Sequence, residues 1–150
     1  MHELIDKIQN TSETPITTLT LPLDRRQKSR QRVVLDNGDD AGIILRRGTV
    51  LFNNDLLISK EEKIVRVLAA DELLSVVTCT DPLLFARACY HLGNRHMPLQ
   101  IEKDTFYYLH DHVLDGMLSG MGLVVETVSA PFEPESGAYD GGTAKHRHEH

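Results

Sequence analysis

The stretch 73-LLSVVTCTDPLLFARACYHLGNRHMPLQ-100, continued by 101-IEKDTFYYLHDHVLDGMLSGMGLVVETV-128, decides how this chain folds. Residues 73–78 are apolar and β-branched over a length that suits one strand. Asp81-Pro82 then opens a helix, with aspartate as N-cap and proline at the first helical position, where no amide hydrogen is needed. Leu84, Ala88 and His91 recur at helical spacing, Phe85 and Leu92 lie beside them, and Gly93-Asn94 is the expected stop. Residues 99–102 and 105–109 read as short strands around Lys103-Asp104. Asp111 can cap a second helix through Val113, Leu114, Met117 and Leu118, ending near Gly120 and Gly122, and residues 123–128 supply a last strand. The order β-α-β-β-α-β is that of the ferredoxin-like fold. The chain therefore reads as α+β, with this domain covering residues 73–130.

Upstream the pattern is β. Residues 16–21, 32–35 and 64–68 are short runs rich in apolar and β-branched side chains. From Arg32 to Leu45 the sequence has the form of a hairpin, with Asn37-Gly38 expected to supply the positive φ angles of a tight turn. Arg47-Gly48 and Asn53-Asn54-Asp55 mark further turns. Short strands this closely spaced point to a small all-β domain, a sandwich or barrel, over residues 1–72. Past Ala130, Pro131, Pro134, Gly137, Gly141 and Gly142 disfavour a packed core, so residues 131–150 read as a flexible tail.

Composition narrows the function. Apolar residues at 41% and charged residues at 25% describe a soluble globular chain, and a net charge of −6 argues against general affinity for nucleic acid or anionic membranes. No apolar run nears the roughly 18 residues of a membrane helix. Asp6 and Lys7 stand where a secretory signal needs an apolar core, so the expected compartment is cytoplasmic. Cys79 and Cys89 lack CxxC spacing and read as core thiols. The basic run Arg25, Arg26, Lys28, Arg30 and Arg32 offers a patch for an acidic partner or nucleic acid. No aromatic residues interleave with it, as single-strand binding would want, so Lys28, Arg30 and Arg32 read as one solvated strand face.

The histidines stand apart. Of eight, seven follow residue 90, and the Lys/Arg to Asp/Glu balance shifts from 11 against 12 up to Glu72 to 5 against 10 from Leu73 onward. Imidazole and carboxylate are thus concentrated in one half, the donor set that suits borderline divalent metals. His91, on the Leu84/Ala88 stripe, reads as a hydrogen-bonded core group or as a support behind a ligand. His96 follows the helix stop and should project from a turn, a common place for functional side chains. His110 and His112 chelate one ion if their junction is extended. They splay roughly 200° apart if the helix has already begun. Asp111 either caps that helix or supplies a carboxylate. His146, His148 and His150 can wrap a metal, but ordering a tail costs roughly 1–2 kcal/mol per residue, so they read as capture or supplementary ligands. No H-E-x-x-H, G-x-S-x-G or P-loop is present, and no spacing positions Glu102 or Glu126 as a base beside His110, Asp111 and His112. No catalysis is expected.

The segment from Asp81 to Ile101, centred on Tyr90-His-Leu-Gly-Asn-Arg-His96, resembles the UreE family of urease accessory proteins, nickel metallochaperones for urease assembly. The resemblance extends through residues 108–118 and 131–139, and upstream through residues 21–30 and 39–42. It implies a partner-binding β domain, then a ferredoxin-like metal-binding domain through which a homodimer forms. It implies a nickel site on the dimer axis built from His96 of each protomer, with His110 and His112 as secondary ligands. The tail histidines would collect or supplement Ni(II), and the receiving partner would be the urease accessory GTPase within the complex acting on apo-urease. Some members of the family carry long histidine-rich tails. Three tail histidines here favour delivery over storage.

Donor chemistry alone does not choose nickel over Cu(II), Zn(II) or Co(II), and copper wins on raw affinity. A general copper- or zinc-binding or storage protein is the alternative. Because neutral imidazole is the ligand form, binding should weaken as pH falls through the histidine range near ~6.5.

Overall fold

Leu4, Leu19, Ile43, Leu57 and Val67 are almost wholly buried and lie on five different strands, and their burial organises the first half of the chain. The structure, a computed structural model, describes residues 1–136. Contacts divide the chain between Glu72 and Leu73 into two compact units.

The first unit contains β1 (His2–Ile8), β2 (Thr17–Leu21), a one-turn α1 (Leu23–Arg26), β3 (Arg30–Val34), β4 (Asp40–Ile44), β5 (Leu56–Ser59) and β6 (Ile64–Ala69). These strands form one sheet in the order β2-β6-β5-β1-β4-β3. The β1/β4 and β2/β6 pairs are parallel, whereas β1/β5, β3/β4 and β5/β6 are antiparallel. Against the expectation of a sandwich or barrel, the strands form one mixed sheet whose two end strands, β2 and β3, are joined through Asp36 by backbone and side-chain bonds. Asp36, just past β3, donates its amide to Thr18 O (2.9 Å) and accepts the hydroxyls of Thr18 (2.6 Å) and Thr20 (2.7 Å) on β2. Burial works to raise the Asp36 pKa, but these bonds outweigh it and hold the carboxyl below its ordinary value.

The hairpin is present as β3–β4, but its turn is longer than a two-residue connection. Gly38 alone takes a positive φ (94°), with its amide bonded to Leu35 O, so Asn37 does not supply one as expected. The basic run also divides differently. Arg26 is 1% exposed and donates to the carbonyls of Leu21 and Leu51. Arg25 holds Gln31 and the carbonyl of Arg32. Lys28 precedes the strand, leaving only Arg30 and Arg32 to share its solvated face.

The second unit follows the expected order: β7 (Asp71–Thr78), α2 (Pro82–Asn94), β8 (Gln100–Glu102), β9 (Thr105–Leu109), α3 (His112–Gly120) and β10 (Val125–Pro131). The sheet order is β10-β7-β9-β8. Asp81 caps α2 by accepting from the amides of Leu83 and Leu84, with Pro82 at the first position. Ala88 and Leu92 of α2 and Leu114 and Leu118 of α3 pack on one cluster with Val77, Phe106 and Tyr108. Truncating a fully buried member such as Leu118 to alanine costs about 2–5 kcal/mol. Both helices therefore cover one face of the sheet. No helix among the described residues is long and apolar enough to cross a membrane.

Candidate metal-binding site

The end of α2 sets the position of His96. The helix continues through Gly93 and Asn94, so the expected stop there is displaced to a cap at Arg95. His96 then adopts φ 60°, the left-handed region. Its amide bonds to Gly93 O (2.9 Å) and that of Met97 to Leu92 O (3.1 Å), the paired bonds of a Schellman motif. Met97 packs on the cluster containing Leu92, which closes the motif with an apolar contact. A left-handed non-glycine residue costs on the order of 1–2 kcal/mol, so the turn holds His96 at a local disadvantage. Its exposed imidazole stands beyond the partly negative end of α2, which favours a bound cation.

His110 lies one residue past β9, with its amide bonded to Leu73 O of β7 (3.1 Å). Register places it at the same end of the sheet as His96. Gln100, where the chain re-enters the sheet after α2, pairs with Tyr107, and Leu74 pairs with Leu109. Asp111 is extended (φ −145°) and its carboxylate accepts from Leu114 N (3.0 Å), so of its two expected roles the structure shows the cap. His112 is the first helical residue and is exposed. The positive end of the α3 dipole opposes a cation there, and the carboxylates of Asp111 and Asp115 in the same turn offset it.

Beneath His110 lies a polar group that sequence reading did not anticipate. Ser75 on β7 and Tyr108 on β9 face one another, both fully buried. Both hydroxyls donate to Asp115 Oδ1, from Ser75 at 2.7 Å and from Tyr108 at 2.5 Å. Asp115 Oδ2 lies 3.2 Å and Ser75 Oγ 3.1 Å from His110 Nδ1. Burial and the neighbouring Asp115 push the Tyr108 hydroxyl well above its ordinary pKa, so it is a fixed donor. A signal was present in the sequence, since Ser75 is the one polar residue in Leu73-Leu-Ser-Val-Val77. The types serine, histidine and aspartate invite comparison with a hydrolytic triad. Here serine and aspartate share one side of the ring and the serine is buried, so no nucleophile is presented.

His91 departs from the expected core position. It is exposed, lying off the stripe formed by Ala88 and Leu92, and the edge of its ring meets Tyr90 with centroids 5.4 Å apart. Cys79 is buried and donates to Asp81 O, and half-buried Cys89 packs on the core, where burial raises its thiol pKa. Among the described residues no three His, Cys, Asp or Glu side chains gather as a metal-ion group. His146, His148 and His150 lie outside the described residues.

Comparison with known proteins agrees with this architecture. The family model described as "UreE urease accessory protein, N-terminal domain" matches residues 1–70, and that for the C-terminal domain matches residues 72–150. A Pseudomonas putida (strain W619) protein named "Urease accessory protein UreE" is 57% identical over 129 residues, covering 85% of this chain and 80% of its own length. A Citrobacter koseri protein of the same name is 51% identical over 142 residues, covering 92% and 93% respectively. One from Proteus mirabilis is 52% identical over 130 residues, covering 87% and 81%. With both halves matched and identity sustained across the chain, this protein belongs to the UreE family of urease accessory proteins.

Proposed function

We propose that this chain is a non-catalytic, cytoplasmic nickel carrier that takes up Ni(II) as cargo and passes it to the urease accessory GTPase acting on apo-urease. Family membership along both units carries the reading. The exposed imidazole of His96, presented by the turn that follows α2, supports it, because turns at the ends of rigid elements are common places for functional side chains. The second unit is read as ferredoxin-like over residues 73–130, on its element order and its sheet order β10-β7-β9-β8. Residues 1–72 are assigned to partner binding. The expected tail over residues 131–150 starts later than the sequence suggests, because Pro131 closes β10, Phe132 is fully buried and Glu133 N bonds to Gln100 Oε1; metal collection is assigned to its histidine-bearing end.

The His96 imidazole alone cannot complete a coordination shell, so the reading joins His96 from each of two copies around one ion. His110, His112 and the tail residues His146, His148 and His150 are the supplementary ligands, with His91 and Asp111 in support. Few protein ligands leave positions open for water and exchange, which a carrier must have to release its ion. Imidazole also accepts Cu(II), Zn(II) and Co(II) in vitro. A general copper or zinc binder or store is the competing outcome.

Calorimetric titration of chelator-treated protein with nickel, in a weakly coordinating buffer, tests this. The expected result is one tight ion per two chains, lost in His96→Ala with the fold intact. Unchanged nickel affinity in that variant, or only weak independent ions per chain, overturns the reading. Tighter zinc than nickel binding at matched copper-free conditions would favour the competing one.

A further inference from the structure

We infer that Asp115, with Ser75, is a positioning residue that fixes the His110 imidazole in the Nδ1–H tautomer and so presents Nε2 as the metal-donor nitrogen. This rests on the carrier reading for its metal but on the hydrogen-bond geometry for its substance.

Proton accounting supports it. Ser75 has one hydroxyl proton, directed to Asp115 Oδ1 at 2.7 Å, and Tyr108 directs its proton to the same oxygen. Nothing remains to donate to His110 Nδ1. The two atoms facing that nitrogen are the Ser75 oxygen at 3.1 Å and Asp115 Oδ2 at 3.2 Å, both acceptors. An unprotonated Nδ1 would set a lone pair against a carboxylate, whereas Nδ1–H satisfies both oxygens. A neutral ring with its proton on Nδ1 carries its lone pair on Nε2.

The assembly is stiff where it needs to be. Ser75 and Tyr108 are fully buried on paired strands, and Asp115 is anchored in the first turn of α3 by their two hydroxyls. The His110 side chain retains 33% exposure, and no described residue bonds its Nε2. A carboxylate behind a ligating imidazole sets the tautomer, limits ring rotation and raises donor strength. None of the three supporting residues need touch the ion.

Two measurements on the full-length protein test this. Nitrogen-edited long-range NMR of metal-free protein should find the His110 proton on Nδ1. Asp115→Asn keeps the shape and can still accept from Ser75 and Tyr108. Its amide, however, can donate to Nδ1, which moves the ring proton to Nε2. That variant should show the inverted tautomer and an affinity about 10–100-fold weaker for nickel at the His110-dependent site, with the His96-dependent step retained. Ser75→Ala, which leaves the carboxylate in place, should keep the tautomer with a smaller loss of affinity.

A wild-type ring protonated on Nε2 overturns the inference without recourse to any variant. So does an Asp115→Asn protein with unchanged tautomer, or one with the inverted tautomer and unchanged nickel binding. Loss of the His96-dependent step in wild-type protein would instead count against the carrier reading, since the tautomer measurement needs no metal.

Discussion

The two helices of the second unit end in the same way but with different residues at the decisive position. After α3, Met121 is the cap and Gly122 takes φ 91°, with Gly122 N bonded to Ser119 O and Leu123 N to Leu118 O. After α2, Arg95 is the cap and His96 takes φ 60°, with the equivalent pair of bonds to Gly93 and Leu92. Leu123 and Met97 both return to the common core. Glycine is what backbone sterics favour at this position. Histidine opposes that preference, as do Asn54, Glu62 and Asp104 elsewhere in the chain, so the backbone conformation alone does not mark a function. At His96 the proposed coordination at the exposed end of α2 gives the imidazole a reason to stand there.

Replacing His96 by glycine should give the largest effect. In His96→Gly the tight nickel step disappears from the titration while unfolding free energy rises by about 1 kcal/mol, because the left-handed strain is relieved. A variant that lost stability would break the comparison, for it would mean the imidazole makes contacts that the fold depends on.

The reciprocal change, Gly122→His, should leave nickel binding intact and destabilise the protein by about 1–2 kcal/mol. For a domain of this size that corresponds to roughly 4–8 °C in Tm per kcal/mol. A Cβ added at Gly122 meets no atom within 4 Å, so the effect isolates backbone conformation from crowding. Equal stability of the variant and the wild type would show that this position tolerates side chains freely, and would remove the significance attached to His96.

Both stability measurements should be made well above the acid range, because the first unit has its own titration. Asp36 is held below its ordinary value of 3.8, so its contribution is fully present above that pH and is lost as pH falls through the folded-state value. Asp36→Asn should therefore be less stable than wild type at neutral pH, with the gap narrowing near pH ~3. A gap that widened in acid would contradict the hydrogen-bonded clamp between β2 and the end of β3.

The smallest change expected is from Asp111→Asn at the opposite helix terminus. Asparagine caps about as well as aspartate, so stability should move by no more than a few tenths of a kcal/mol. Asp111→Ala should cost about 1 kcal/mol in the same urea titration. A substantial fall in nickel affinity in the asparagine variant, with the cap intact, would identify Asp111 as more than a helix cap.

Local signals in the second unit were legible because each was written in consecutive residues. Asp81-Pro82 begins α2, Asp111 begins α3, and the apolar runs between them define strands. The first unit was harder to read. β1 carries Glu3, Asp6 and Lys7 around the single fully buried Leu4, so its alternation is obscured, and β5 and the one-turn α1 gave no distinct pattern. Arg26 belonged by type to a basic patch, yet backbone carbonyls from distant residues drew it into the interior. His91 shares helical spacing with the apolar stripe, but the core lies toward Ala88 and Leu92 and leaves the imidazole in solvent.

By itself, the sequence determined the α+β class, the order of elements after residue 72 and the histidines to be considered. Capping, periodicity and turn chemistry act within a few residues, and that information is carried in the chain's local order. Tertiary structure decided which of those histidines are strained or supported. His96 takes the left-handed conformation in a turn that returns Met97 to the core, and His110 is held because β7, β9 and α3 bring Ser75, Tyr108 and Asp115 together. Those contacts join residues as many as 40 positions apart. No local pattern encodes such pairings; they arise when burial of apolar faces stacks the helices on the sheet.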